Sequence, residues 1–105
     1  MKIESFSANY DEELFTKLME RVGAKWPDVL PPARVQEMIA FCLSLQHNEE
    51  KPLSFGVQHG GITTSFGIRA FMDDVGFPDV EFFSFPEIIQ TIRDEHARVC
   101  EELGY

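Results

Sequence analysis

The chain has few of the residue types from which function is most easily inferred. Its 105 residues include two cysteines, three histidines and nine lysines and arginines, against 18 aspartates and glutamates, so the formal net charge is −9 at pH 7. Cys42 and Cys100 are too few for a disulfide framework and lack the spacing of metal ligands. Direct binding to nucleic acid or to an anionic membrane surface is disfavoured, because both need clustered positive charge.

Long hydrophobic runs are also missing. The uninterrupted apolar stretches are only a few residues long, far short of the roughly 20 that cross a bilayer. The first residues lack the apolar run of a signal peptide. We therefore expect a cytoplasmic protein with no membrane association, and the length of the chain predicts one globular domain over residues 1–105.

Two helices are predicted in the N-terminal half. Apolar residues recur at helical spacing over 9–22, where Asn9 is the expected cap and Gly23 the expected stop. A second helix is predicted from Pro32 to about Gln46. The connector between the two helices is rich in proline and contains the only tryptophan, Trp26.

The hydrophobic period then changes from helical to alternating. The runs 53–58 and 62–70 flank Gly60-Gly61, which is typical of a tight hairpin because the favoured two-residue turns need positive φ. Counting from this turn places Phe55 opposite Phe66 on an apolar face. The opposite face is flat and polar, and consists of Ser54, Gly56, Gln58, Thr63, Ser65 and Gly67. The run 53–58 is also a candidate open edge of the sheet.

The remaining elements complete a predicted ααβββα order. A charged loop is expected at 47–52, a third strand at 79–84, and a last helix that Ser84 caps and that ends before Gly104. We therefore predict an α+β fold in which a three-stranded antiparallel meander packs against helices. The third strand is apolar on both sides, so its second face is also expected to be covered.

No cofactor or metal constellation is recognisable, and we predict neither. The histidines lack the short spacing of metal ligands, and the chain has neither a phosphate-binding glycine loop nor a hydrolase-type serine elbow. His96 and Cys100 fall on the inward face of the last helix, where burial in the core is the simplest explanation. A pocket near His59, His96 and Cys100 is the alternative, and it would make the protein a small enzyme or a ligand-binding domain.

The C-terminal half has the more negative net charge, because it has fewer bases. Residues 53–105 hold nine acids and three bases, whereas residues 1–52 hold nine acids and six bases. A solvated surface is the simplest explanation, and a surface complementary to a basic protein is the functional one. The candidate partner-binding residues are Trp26, Asp73, Asp74, Phe77, Asp79 and Glu81.

These features favour a non-catalytic binding protein. We predict an inhibitor or immunity-type protein that occludes a basic surface of a nucleic-acid-handling partner, without touching nucleic acid itself. The small enzyme or ligand-binding domain remains the first alternative. A homodimer or larger homo-oligomer that uses the flat polar sheet face is the second.

Overall fold

A computed structural model of the chain describes residues 3–44, 50–59, 61–72 and 74–105, and for His59, Ile62 and Thr64 it describes the backbone alone. The elements in chain order are β1 (Glu4–Asn9), α1 (Glu12–Lys25), α2 (Pro32–Leu43), β2 (Glu50–His59), β3 (Ile62–Met72), β4 (Pro78–Ser84) and α3 (Pro86–Leu103). The fold is α+β, as predicted, but the observed order is βααβββα.

The sheet has four antiparallel strands in the order β1-β4-β3-β2. The predicted three-stranded meander is therefore incomplete, because β1 pairs with β4 and places Phe6 opposite Phe82. The sequence gives little indication of β1. Phe6 is its one large apolar residue, and its partner strand lies far along the chain, so no local pattern or turn reveals the pairing. The extra strand covers the side of β4 away from β3.

The predicted hairpin register is confirmed. Phe55 lies opposite Phe66, and His59 lies opposite Ile62 across the turn. Gly61 has φ of +77°, a conformation that the tight turn requires and that side chains disfavour. Of the expected loop at 47–52, residues 50–52 belong to β2, and residues 47–49 lie outside the described part of the chain.

The limits of the first helix differ from the prediction. Asn9 ends β1, and the cap is instead Asp11, whose Oδ2 accepts a hydrogen bond from the backbone N–H of Leu14 at 3.0 Å. Gly23 does not stop α1 but lies inside it. A Cβ at this position would stand 2.7 Å from the carbonyl oxygen of Leu30. Gly23 therefore lets the connector fold back closely against the helix.

The other helix ends also differ in part. The second helix ends at Leu43, and the predicted end near Gln46 lies outside the described residues. Phe85, rather than Ser84, occupies the cap position of α3, without a side-chain capping bond. The predicted end of α3 is correct, and Gly104 follows it with φ of +80°.

The helices pack on one face of the sheet and form a two-layer domain. Alternate strand residues face the helices, and the largest fully buried side chains come from both layers: Phe66, Phe82, Leu18, Met19, Leu30, Met38, Ile68, Ile88, Ile89 and Ile92. Burial of a large aliphatic or aromatic side chain contributes about 1.5–3 kcal/mol. No described helix covers the other sheet face, so the expectation that the second face of the third strand is also covered is wrong for the described residues: Asp79, Glu81 and Phe83 lie there and are only half-buried.

The α1 and α3 helices run antiparallel and define two ends of the domain. At one end the indole Nε1–H of Trp26, just after α1, donates to Thr91 Oγ1 at 3.1 Å. At the other end the hydroxyl of Tyr105, just after α3, donates to Asp11 Oδ2 at 3.0 Å. We call the first the closed end. The second, which also includes the loop 74–77 between β3 and β4, we call the acidic end.

A buried carboxylate joins α1 to α3 between the two ends. Glu95 is 4% exposed, and its carboxylate lies 2.8 Å from Lys25 Nζ, 2.7 Å from Arg98 Nη1 and 3.6 Å from Arg21 Nη1. The hydrogen bond from Lys25 is the main cause that lowers the pKa of Glu95. This acid therefore serves the helix packing and is not part of an acidic partner surface.

Candidate interaction surface

Trp26 lies at the closed end, where it packs inside the domain. In addition to its bond to Thr91, its ring meets Phe85 edge-on with 5.5 Å between centroids. The side chain is half-buried. Its contacts join the end of α1 to the start of α3, which is a structural role.

The structure does not bring Trp26 together with the predicted acidic residues. Its ring partner Phe85 follows the end of β4, whereas Phe77 precedes the start of β4. Phe77 and Phe85 flank the seven residues of β4, and the eight steps between them span about 26 Å at the rise of a β-strand. The six predicted residues therefore do not form one surface.

The predicted acids occupy different environments. Asp73 lies outside the described residues, Asp74 is exposed in the β3–β4 loop, and Asp79 is half-buried in β4. Glu81 lies on the open sheet face, where its carboxylate accepts from Arg69 at 2.8 Å. Its charge is thus compensated within the fold. Asp74 is the described member of this set that presents its charge to solvent at the acidic end.

Arg69 is the centre of a small polar cluster on that open sheet face. Besides Glu81, its guanidinium binds Glu50 at 2.7 Å and lies over the ring of Phe71 at 4.4 Å from the centroid. The hydrogen bonds that Arg69 donates to Glu50 and Glu81 raise the pKa of Arg69 above its ordinary value. Both acids hold this arginine in place across three neighbouring strands.

The acidic end carries three exposed large side chains. Val75 is 76% exposed, Phe77 62% and Tyr105 66%. Val75 and Phe77 flank Gly76, whose φ of +88° turns the β3–β4 loop. A single exposed apolar side chain is ordinary, whereas several at one place are informative. Among the described residues the other exposed large hydrophobic side chains are Ile3 and Leu43, so three of these five belong to the acidic end.

Carboxylates at the start of α1 lie at the same end of the domain and approach Tyr105. Glu12 and Glu13 are exposed in the first turn of α1, and Asp11 caps that turn. The pKa of Tyr105 is raised, chiefly because its hydroxyl donates to Asp11, with a further contribution from the charge of Glu13. Asp11, Glu12, Glu13 and Tyr105 are not among the sequence-predicted site residues. They are distant in sequence from Phe77, and the only available signal was the acidic run at the start of the first helix.

A groove runs from the acidic end along the outer edge of β1. Its walls are β1, the start of α1 and the C-terminal half of α3. The lining residues are Phe6, Ser7, Ala8, Asn9, Asp11, Leu14, His96, Cys100 and Tyr105. Two of the three residues of the alternative pocket, His96 and Cys100, therefore share a groove. The third, His59, ends β2, which β3 and β4 separate from β1.

The geometry of His96 and Cys100 does not resemble an activated thiol. Cys100 Sγ lies 3.8 Å from Nδ1 and 3.7 Å from Nε2 of His96, so the sulfur faces the ring instead of one nitrogen. Burial lowers the pKa of His96, whereas a thiolate is stabilised by a protonated imidazole. The ring of Phe6 meets His96 edge-on at 5.3 Å. This wall of the groove is therefore a neutral and largely apolar surface.

The second cysteine is also unsuited to nucleophilic chemistry. Cys42 is buried in the core, and this burial raises its pKa to about 12. A thiol with so high a pKa holds its proton at neutral pH and reacts slowly. Both cysteines are free in the structure.

The described residues contain no group of three or more His, Cys, Asp or Glu side chains placed to hold a metal ion. Within the same residues, no helix has the length and apolar character needed to cross a membrane.

Comparisons with protein-family models, with curated proteins and with solved structures gave no match to this chain.

Proposed function

We propose that this is a small non-catalytic binding protein whose acidic end occludes a basic surface of a partner protein. One observation carries the proposal: Val75, Phe77 and Tyr105 are exposed at the end of the domain where Asp11, Glu12 and Glu13 begin α1. Apolar side chains that enter pockets on a partner supply most of the binding energy of an interface. The surrounding negative charge would increase the association rate and disfavour acidic partners.

The chemistry of the partner follows from the charge. A chain of net charge −9 associates fastest with a surface that is strongly basic. Proteins that handle nucleic acid expose such surfaces, since they bind phosphates with lysine and arginine. We therefore infer an inhibitor or immunity-type role in which the acidic end occupies the nucleic-acid site of such a protein.

The test compares charge changes at the two ends. Asp74→Lys at the acidic end and Asp28→Lys in the connector at the closed end each change the net charge from −9 to −7, and both positions are exposed. The tagged wild-type chain is used to recover partners from lysate of the source cell at low and high salt, with quantification by mass spectrometry. The association kinetics of the recovered partner are then measured with both variants and with Phe77→Ala.

We expect a basic partner whose recovery falls at high salt. Asp74→Lys should slow association more than Asp28→Lys at low salt, and Phe77→Ala should increase dissociation, with an affinity loss of about tenfold or more if Phe77 is an anchor. Equal kinetics for the two charge variants, or an unaffected complex with Phe77→Ala, would refute the role of the acidic end. Loss of nuclease, polymerase or other nucleic-acid activity of the partner on binding would support the inhibitor role.

The two alternatives predict different measurements. A small enzyme or ligand-binding domain would use the groove with His96 and Cys100, and titration with small metabolites would then shift NMR signals of those two residues. A homo-oligomer would use the flat polar sheet face, where the described side chains Ser54, Gln58 and Ser65 are exposed. Light scattering across the micromolar range would detect that assembly.

A further inference from the structure

The outer edge of β1 offers backbone groups for strand pairing. Tyr10, which follows β1, donates its backbone N–H to the carbonyl of Pro78 at 2.8 Å. In an antiparallel pair, residues whose backbone N–H and C=O groups bond to the partner strand alternate with residues whose backbone groups point away from it. The register therefore directs the N–H and C=O groups of Ser7 and Asn9 outward, away from β4.

Part of this edge is already occupied. The guanidinium of Arg93 donates to the carbonyl oxygen of Ser5 at 3.1 Å. In the part of the chain that the structure describes, nothing hydrogen-bonds to the outward backbone groups of Ser7 and Asn9. These two residues also line the groove beside α3. A row of outward backbone groups next to a groove is the arrangement that takes an added strand.

The opposite edge of the sheet differs from this one. By the same alternation, β2 directs Pro52, Ser54 and Gly56 outward. Proline has no N–H to donate, and it is a common means of preventing strand addition at an edge. The β1 edge contains no proline and borders a groove, so it is the better acceptor of a strand.

We propose that the groove between β1 and α3 binds an extended segment of the protein partner, which pairs with Ser7 and Asn9 as a fifth strand. Alternate side chains of that segment would enter the groove and contact His96 and Cys100, where the wall is largely apolar. The segment carries basic residues at the Asn9 end, because Asp11 and Glu13 lie there around Tyr105. A second copy of this chain fits less well, because its own net charge is −9.

This inference rests on the proposed function, since a protein partner supplies the segment, but its contacts are separate from Asp74 and Phe77. The outward position of Ser7 means that Ser7→Pro removes a groove-side N–H without removing a bond to β4. Ser54→Pro is the matched control, because Ser54 is exposed and points outward on the β2 edge. Circular dichroism and thermal unfolding establish that both variants fold.

The probe is a displayed library of random ten-residue peptides selected on the wild-type chain. We expect selected peptides to alternate apolar and polar residues, to carry lysine or arginine at one end, and to protect the Ser7 and Asn9 amides from hydrogen exchange. Their affinity should fall about tenfold or more with Ser7→Pro, a loss equivalent to about 1.4 kcal/mol, and should stay within about twofold with Ser54→Pro.

A second measurement leaves the protein unchanged. Backbone N-methylation of a selected peptide at the amides that face β1 removes its donors and keeps its side chains, so it should abolish binding, whereas methylation at the alternate amides should not. The inference would be overturned if both methylated peptides bind equally well. It would also be overturned if the selected peptides bind the wild-type chain no better than they bind Ser7→Pro. Formation of a dimer that Ser7→Pro dissolves would also overturn it, in favour of self-pairing.

The outcomes separate this inference from the proposed function. If the natural partner is lost with Asp74→Lys and kept with Ser7→Pro, the acidic end binds the partner and strand addition is wrong. If peptides bind through Ser7 and no salt-sensitive basic partner is recovered, the groove accepts a strand and the proposed function of the acidic end is wrong.

Discussion

The closed end and the acidic end use their large side chains in opposite ways. Trp26 at the closed end donates to Thr91 and packs against Phe85. Phe77 at the acidic end is 62% exposed. Both residues follow or precede a regular element by one position, and both looked like interface anchors from their residue types. The difference shows that an aromatic residue in a connector is informative only when its contacts are known.

The same contrast applies to charge. Glu95 is buried among three cations and holds α1 against α3, whereas Glu12 and Glu13 are exposed at the acidic end. Buried acids affect the free energy of unfolding, and exposed acids affect association with a partner. The two ends should therefore respond to mutation in different measurements.

The largest expected effect is a loss of stability at the closed end. Trp26→Ala removes a large half-buried ring and the bond to Thr91, and we expect the free energy of unfolding to fall by about 2–4 kcal/mol. Phe77→Ala at the acidic end should change it by less than about 0.5 kcal/mol. Urea unfolding of both variants measures the difference. Similar losses of unfolding free energy in Trp26→Ala and Phe77→Ala would contradict the distinction between the closed end and the acidic end.

A smaller loss is expected at Glu95. Glu95→Gln removes the charge that balances Lys25, Arg98 and Arg21, and because those cations are partly exposed we expect about 1–2 kcal/mol. The lowered folded-state pKa of Glu95 adds stability above its unfolded value near 4.5, and this stability is lost as pH falls through the folded pKa. Unfolding measured from pH 7 to pH 3 should therefore depend less steeply on pH in Glu95→Gln than in the wild type.

Close packing at the closed end gives a third prediction. Alanine for glycine inside a helix ordinarily gains up to about 1 kcal/mol, but at Gly23 the new Cβ would stand 2.7 Å from the Leu30 carbonyl oxygen. We expect Gly23→Ala to lose about 1–2 kcal/mol instead. Gly56→Ala is the control, since nothing lies within 4 Å of a Cβ there. A stabilised Gly23→Ala variant would show that the connector does not pack tightly on α1.

The smallest expected effect concerns the groove. Burial lowers the folded-state pKa of His96 below 6.5, so its contribution to stability is complete above pH 6.5 and is lost as pH falls through the folded pKa. His96→Phe should remove this part of the pH dependence while the acid-induced loss at Glu95 remains. NMR titration of the imidazole checks the direction directly, and a pKa of His96 above 6.5 would contradict the description of this wall as neutral and apolar.

The local sequence pattern correctly predicts the parts of the fold that depend on short stretches of chain. The hairpin register followed from Gly60-Gly61 and the alternation on both sides, because side chains of a strand alternate between faces and the turn fixes the count. The stop at Gly104 followed from the left-handed conformation that glycine adopts readily. The cap at Asn9 failed because Asn9 and Asp11 are both good cap residues, and only the pairing of β1 with β4 decides between them.

The sequence predicts the candidate surface less well than it predicts the fold. The aspartates close together in sequence predict Asp74, and residue type predicts Phe77 as an apolar anchor; the structure places both at the acidic end. Residue type also predicts Trp26, which lies at the other end. Sequence spacing does not predict Tyr105 and Asp11, because they meet only through the antiparallel packing of α1 and α3.

The sequence by itself determined the periodicity of the elements, the register of the hairpin and the strongly acidic character of the chain, since each depends on residue type and local spacing. The tertiary structure decided that β1 joins the sheet, that one edge of the sheet borders a groove, and that Tyr105 at the end of the chain meets Asp11 at the start of α1. Those features depend on contacts between distant segments. Such contacts form because burial energy is shared by the whole core, and no single stretch of the chain encodes it.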